Sequence, residues 1–109
     1  MLELPIREPW FGMVRRREKS VEYRDIKPYW RQRFINAGLL TPAGEPSHKT
    51  ATVRFRNGYG KSRPSFKATV ILSIGEGVEK WGAEKGKQYY LLIVCGIHEN
   101  ERRASHAET

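Results

Sequence analysis

The chain predicts an α+β fold, a small mixed β-barrel of about five or six strands with two or three short helices. Three observations carry that expectation. Two-residue alternation of apolar and polar residues recurs along the chain, Gly/Pro clusters join the alternating segments at short intervals, and no long helix separates successive strands as a doubly wound sheet would require.

The elements follow in order. Met1 to Arg7 sets Leu2, Leu4 and Ile6 on one side, and Pro5 confines this first strand to an edge or an end. Pro9 opens a helix at the position where its missing N–H has no partner to lose, and Trp10, Met13 and Val14 follow at the spacing of one buried stripe. Arg15 and Arg16 take the other face. A second strand over 20–26 leads to a helix begun by Pro28, with Trp30, Phe34 and Ala37 as its apolar stripe and Gly38 as its stop. Trp10, Trp30 and Phe34 read as packing groups.

Residues 38–49 mix two prolines and two glycines with small polar residues and read as a loop. The next strand, 50–56, alternates Ala51, Val53 and Phe55 against Thr50, Thr52, Arg54 and Arg56, so its polar face is basic. An Asn57-Gly58-Tyr59-Gly60 turn connects it to a longer strand with Phe66, Ala68, Val70, Leu72 and Ile74 on one face, ended by Gly75-Glu76-Gly77. A short helix or turn over 78–84 precedes a last strand, 88–97, whose unbroken apolarity predicts burial on both faces. Cys95, the one cysteine, lies in that run and reads as a small core residue without a disulfide partner. One domain over 1–98 and a polar tail over 99–109 complete the organisation.

A chain of 109 residues is large enough for one core, and 39% hydrophobic residues is a globular composition. Twenty Lys and Arg against 12 Asp and Glu leave a net charge of +8, which points to an anionic partner such as RNA or a nucleotide. No stretch approaches the length of a bilayer-spanning helix and the N-terminus has no secretory pattern, so a cytoplasmic protein without a membrane partner is expected. Metal and cofactor chemistry are not expected: Cys95 and His98 fall on opposite faces of a strand, and no glycine-rich phosphate loop precedes a helix.

Chemistry concentrates at Lys19-Ser20-Val21-Glu22-Tyr23-Arg24. Strand parity puts Glu22 and Arg24 on one face, while Lys19, in the turn, is left without a direction. These three residues can form a structural ion-pair cluster, or a site in which Lys19 and Glu22 move protons and Arg24 offers a planar donor fork to a phosphate or a base edge. Glu76 joins them as a candidate if its strand keeps its alternation, which would carry the carboxylate to the barrel mouth on the inward face; equally, the flanking Gly75 and Gly77 can turn it out to solvent. The candidate nucleic-acid surface is Arg54 and Arg56 with Tyr59, Lys61 and Arg63 in the following turn, where cations surround an aromatic plane on which an unstacked base can lie. Arg15 and Arg16 form a second basic cluster, solvated as much as binding.

Glu8-Pro9-Trp10-Phe11, Lys19-x-x-Glu22-x-Arg24, Pro28-Tyr29-Trp30, a basic strand ending in Gly58-Tyr59, and Trp81-Gly82 before a final apolar strand together resemble the ASCH domain of the PUA-like superfamily. The similarity runs over about 2–97. The family motif G-x-K-x-x-E-x-R is met at Lys19, Glu22 and Arg24, with Arg17 in place of its glycine. The resemblance implies a PUA-like barrel with helices at its ends and a cleft beside the motif for RNA or a nucleotide. Some ASCH-like proteins hydrolyse the amide of N4-acetylcytidine with a lysine and a threonine three residues later, and others are reported as ribonucleases. Glu22 stands where that threonine would be, which counts against acetylcytidine hydrolysis.

Three functions are therefore expected in order: an RNA- or nucleotide-binding module, a hydrolase acting on RNA or a modified nucleoside through the same cleft, and a protein-interaction module with a structural Lys/Glu/Arg cluster.

Overall fold

The computed structural model of the chain describes residues 1–98, so the predicted tail, 99–109, lies outside the described residues. In chain order the elements are β1 (Leu2–Ile6), α1 (Trp10–Arg15), β2 (Val21–Arg24), α2 (Pro28–Asn36), β3 (Thr50–Asn57), β4 (Ser65–Glu76), a 3₁₀ turn at Glu79–Trp81, and β5 (Gln88–Ile97). The strands form one mixed sheet in the order β1-β3-β4-β5-β2, with β1 parallel to β3 and the other pairs antiparallel. Pro5 lies in an edge strand, where a missing donor is tolerated.

The sheet curls into a half-barrel and leaves a seam. Laid flat, the edge strands β1 and β2 would be separated by four strand spacings, roughly 19 Å. Instead the Arg24 side chain on β2 donates to the Pro5 carbonyl on β1 at 2.7 Å. No backbone ladder joins these two strands among the described residues, so the expected barrel is closed at this point by a guanidinium.

The concave face carries the core. Leu4, Val53, Phe55, Phe66, Val70, Leu72 and Leu92 are buried there, covered by Phe11 and Val14 of α1, Phe34 of α2, and Leu39 and Leu40 of the following loop. That loop is tied down by an isolated bridge between Leu40 and Pro46. Phe34 meets Tyr90 edge-on at 5.2 Å, which fixes α2 against the inside of β5.

Three expectations change. The buried side chains of α1 are Phe11 and Val14, the helix begins at Trp10 with Pro9 as its cap, and Trp10 and Met13 are only half-buried. The last strand is not buried on both faces along its length: Tyr90 and Leu92 point inward and are buried, whereas on the opposite face Tyr89 is buried but Leu91 and Ile93 are only half-buried. Cys95 is exposed, not core. Val70 pairs with Val94 and Thr69 with Gly96, so Cys95 is the extra residue of a β-bulge and is turned out of the alternation.

Candidate functional site at the corner between helix and strand

Helix α1 ends in a tight reversal that aims Lys19. The Arg17 N–H donates to the Val14 carbonyl at 3.0 Å and the Glu18 N–H to the Met13 carbonyl at 2.8 Å, the paired bonds of a Schellman motif. Its left-handed position is Arg17, with φ 65°. Glycine is the usual occupant of such a position because a Cβ there crowds the backbone. From this reversal the Lys19 side chain turns inward, and only 2% of it is exposed.

Buried charge needs a partner, and Glu22 is that partner. Alternation in β2 points Glu22 into the concave face, where Lys19 Nζ donates to Oε1 and Arg24 Nη1 donates to Oε2 at 2.5 Å. Arg24 also donates from Nη1 to the Tyr23 carbonyl at 2.8 Å and from Nη2 to the Pro5 carbonyl. Its guanidinium lies 5.1 Å from the Trp30 ring centre. The Lys19 ammonium sits between two rings, 4.9 Å from Trp10 and 5.0 Å from Tyr23. Burial pushes the Lys19 pKa below the ordinary lysine value, against the opposing pull of Glu22.

The rings are held in turn. Gly82 has φ 98°, and a Cβ there would come within 2.9 Å of the Trp10 indole, so that glycine is required both by its backbone and by its neighbour. The Tyr23 hydroxyl accepts from the Val78 N–H at 2.8 Å. The turn between β4 and β5 therefore supports the two rings that cover Lys19.

Two clefts meet at this corner. One, of about 470 Å³, is lined by Pro5, Arg7, Trp10, Glu22, Arg24 and Tyr59. A smaller one, of about 270 Å³, opens on the other side of Trp10, with Lys19, Asp25, Trp81 and Lys87 among its walls. Asp25 and Lys87 pair at 3.1 Å; the ammonium lowers the carboxyl pKa and the carboxylate raises that of the amine.

The remaining candidates divide. Glu76 does not join the corner. Alternation in β4 persists, but the strand runs past the end of the core: Leu72 is 2% exposed, Ile74 is 39% exposed, and Glu76 beyond it is exposed with no bond to Lys19 or Arg24. Arg56 is partly engaged, its Nε donating to Glu3 at 3.0 Å and its Nη1 to the Lys61 carbonyl at 3.0 Å. Arg54 donates to the Ser65 hydroxyl at 3.0 Å, and Arg63 to the Asn57 carbonyl at 2.9 Å, both shaping the 57–64 turn. Tyr59 is 86% exposed at the tip of that turn, with Lys61 exposed beside it. Arg16 pairs with Glu18 at 2.9 Å on the surface, and Arg15 is exposed in the last turn of α1. Arg7 on the cleft wall was not anticipated; its only sequence signal was a charged residue following a short edge strand.

Comparison with family models, with curated proteins and with solved structures gives no match. Among the described residues no group of three or more His, Cys, Asp or Glu is placed to hold a metal ion, and no helix is long and apolar enough to cross a membrane.

Proposed function

We propose that the protein is an ASCH-type, PUA-like module that binds RNA or a nucleotide in the cleft between Trp10, Arg24 and Tyr59. The observation that carries this reading is the composition of that cleft: an indole and a phenol on its walls, a guanidinium at its base, and the exposed cation Arg7 at its rim. Flat rings accept an unstacked base, and the cations suit a phosphate. The left-handed backbone at Arg17 and the mutual packing of Trp10 and Gly82 also support the family reading, because both fall on residues of the motifs that carry the resemblance.

Binding is favoured over hydrolysis by the state of the two candidate proton carriers. Both oxygens of Glu22 are already taken, and Lys19 is enclosed beneath Trp10 and Tyr23. A general base must reach its proton within hydrogen-bond distance. Glu22 borders the larger cleft, but each of its oxygens already accepts from a cation, and Lys19 is absent from that cleft's walls, so these bonds favour a positioning role over proton transfer. Glu22 and Lys19 act here by orienting Arg24 and the aromatic walls.

Titration with adenosine monophosphate and with single-stranded RNA tests the reading. Affinity should fall with salt, and Tyr59→Ala, which removes an 86% exposed ring, should weaken binding by about tenfold, the weight of one stacking platform. Arg7→Ala should flatten the salt dependence by the share of about one phosphate. Saturable binding of neither ligand would leave the protein-interaction reading in possession of the site.

A further inference from the structure

Next to the larger cleft above Arg24 lies a further one, of about 440 Å³, with Tyr29, Trp30, Arg33, Arg56 and Lys61 among its walls; relative to the cleft above Arg24 it is the second compartment. It shares Pro5, Gly58 and Tyr59 with the cleft above Arg24. The two are adjacent compartments divided by one exposed ring.

The chemistry of the second compartment repeats that of the first. Tyr29 is 61% exposed and meets Trp30 edge-on at 4.9 Å, and both rings line the space, Trp30 backed by stacking on Phe34. The Arg33 guanidinium is held against these rings, 5.2 Å from Tyr29 and 6.0 Å from Trp30, rather than by an acceptor. Its Nε is buried without a hydrogen-bond partner among the described residues. That nitrogen has no accessible surface of its own, so the donors an anion in the cleft can meet are the terminal nitrogens of the guanidinium, which have no hydrogen-bond partner among the described residues. Glu3, the one acid on the wall, is neutralised by Arg56 at 3.0 Å. Lys61 adds a second cation at the rim.

We infer that the second cleft binds the nucleotide next to the one above Arg24, with Tyr59 stacked between neighbouring bases and Arg33 and Lys61 on the phosphates. This rests on the reading of the first cleft as a nucleotide site. It makes the ligand a single-stranded oligonucleotide rather than a free nucleotide. Consecutive bases on alternating aromatic platforms, with cations along the backbone, is how proteins hold single strands without reading a duplex.

The test compares adenosine monophosphate with the tetranucleotide rA4 on the wild-type protein and on Tyr29→Ala/Arg33→Gln, with affinity measured by calorimetry and the bound residues by amide chemical shifts. The wild type should bind rA4 at least about tenfold more tightly than the mononucleotide, as one added stacked base requires. In the double variant that advantage should vanish while mononucleotide affinity stays unchanged. Lys61→Ala, on an exposed loop, should lose part of the advantage and lower the salt slope, which keeps the test open if the double variant does not fold. Equal affinity for both ligands, with shifts at Trp10 and Arg24, would overturn the second cleft and leave the first standing. An rA4 preference untouched by all these changes would assign it to another surface, and binding of neither ligand would remove both sites.

Discussion

Arg24 and Pro5 meet at 2.7 Å across the seam between the two edge strands, and this bond makes one side chain both the closure of the half-barrel and the base of its cleft. The same guanidinium bonds Glu22 and the Tyr23 carbonyl. Arg24→Lys keeps the charge but has no planar fork to reach three acceptors in three directions. It should cost about 1.5–3 kcal/mol, the weight of a hydrogen bond to a charged group, read as a lower urea midpoint with an unchanged slope.

The Lys19, Glu22 and Arg24 cluster is asymmetric around its one carboxylate. Removing the Glu22 charge in Glu22→Gln leaves two buried cations facing each other and should destabilise the fold by about 3–5 kcal/mol. Lys19→Met leaves Glu22 still bonded to Arg24 and should cost less, about 1–2 kcal/mol, since a buried pair partner is replaced by an apolar chain of similar length. Equilibrium denaturation of both variants checks the order. A larger loss for Lys19→Met than for Glu22→Gln would contradict the shared-carboxylate description.

Lys19 also gives the stability a pH signature. Burial lowers its folded pKa below its unfolded value, so between those two values the unfolded chain holds the extra proton, and stability rises with pH across that window. Below the folded pKa the cost of burying the ammonium is fully present; it is relieved as pH climbs toward about 10.5. Tyr90, whose pKa is raised by burial, and Lys87, raised by Asp25, work in the opposite sense at the alkaline end, because the unfolded chain loses those protons first. Comparing the wild type with Lys19→Met cancels both. The gap between them should move in favour of the wild type as melts are taken from pH about 7.5 to about 10.

Arg17 holds a left-handed backbone at the corner with an ordinary side chain. Arg17→Gly should relieve the steric cost of the Cβ, partly offset by the greater freedom of glycine in the unfolded chain, for a net gain of about 0.5–1 kcal/mol. A raised melting temperature with unchanged nucleotide affinity is the expected outcome.

What could be read from the sequence was whatever depends on neighbours along the chain. The parity of β2 put Glu22 and Arg24 together, alternation in β3 and β4 marked Val53, Phe55, Phe66 and Val70 as core, and Pro5 marked its strand as an edge. The direction of Lys19 was illegible, because it depends on the left-handed turn at Arg17 and not on strand parity. Arg56 read as a free cation for the same kind of reason: its partner, Glu3, is brought beside it only by the parallel pairing of β1 with β3. For Glu76 the choice between barrel mouth and solvent stayed open, since alternation cannot tell where the core beneath a strand ends; it is exposed. The bulge at Cys95 breaks a register that nothing in its apolar run announces. Tyr29, Trp30 and Arg33 became a cleft wall only where the fold brings α2 beside the 58–61 turn.

The most direct test of the proposed nucleotide site is an amide and indole chemical-shift titration of the wild-type protein with adenosine monophosphate. Saturable shifts centred on Arg7, the Trp10 indole, Glu22, Arg24 and Tyr59, weakening as salt rises, are the predicted result. Shifts confined to the convex face of β4 and β5, or none at millimolar nucleotide, would contradict it.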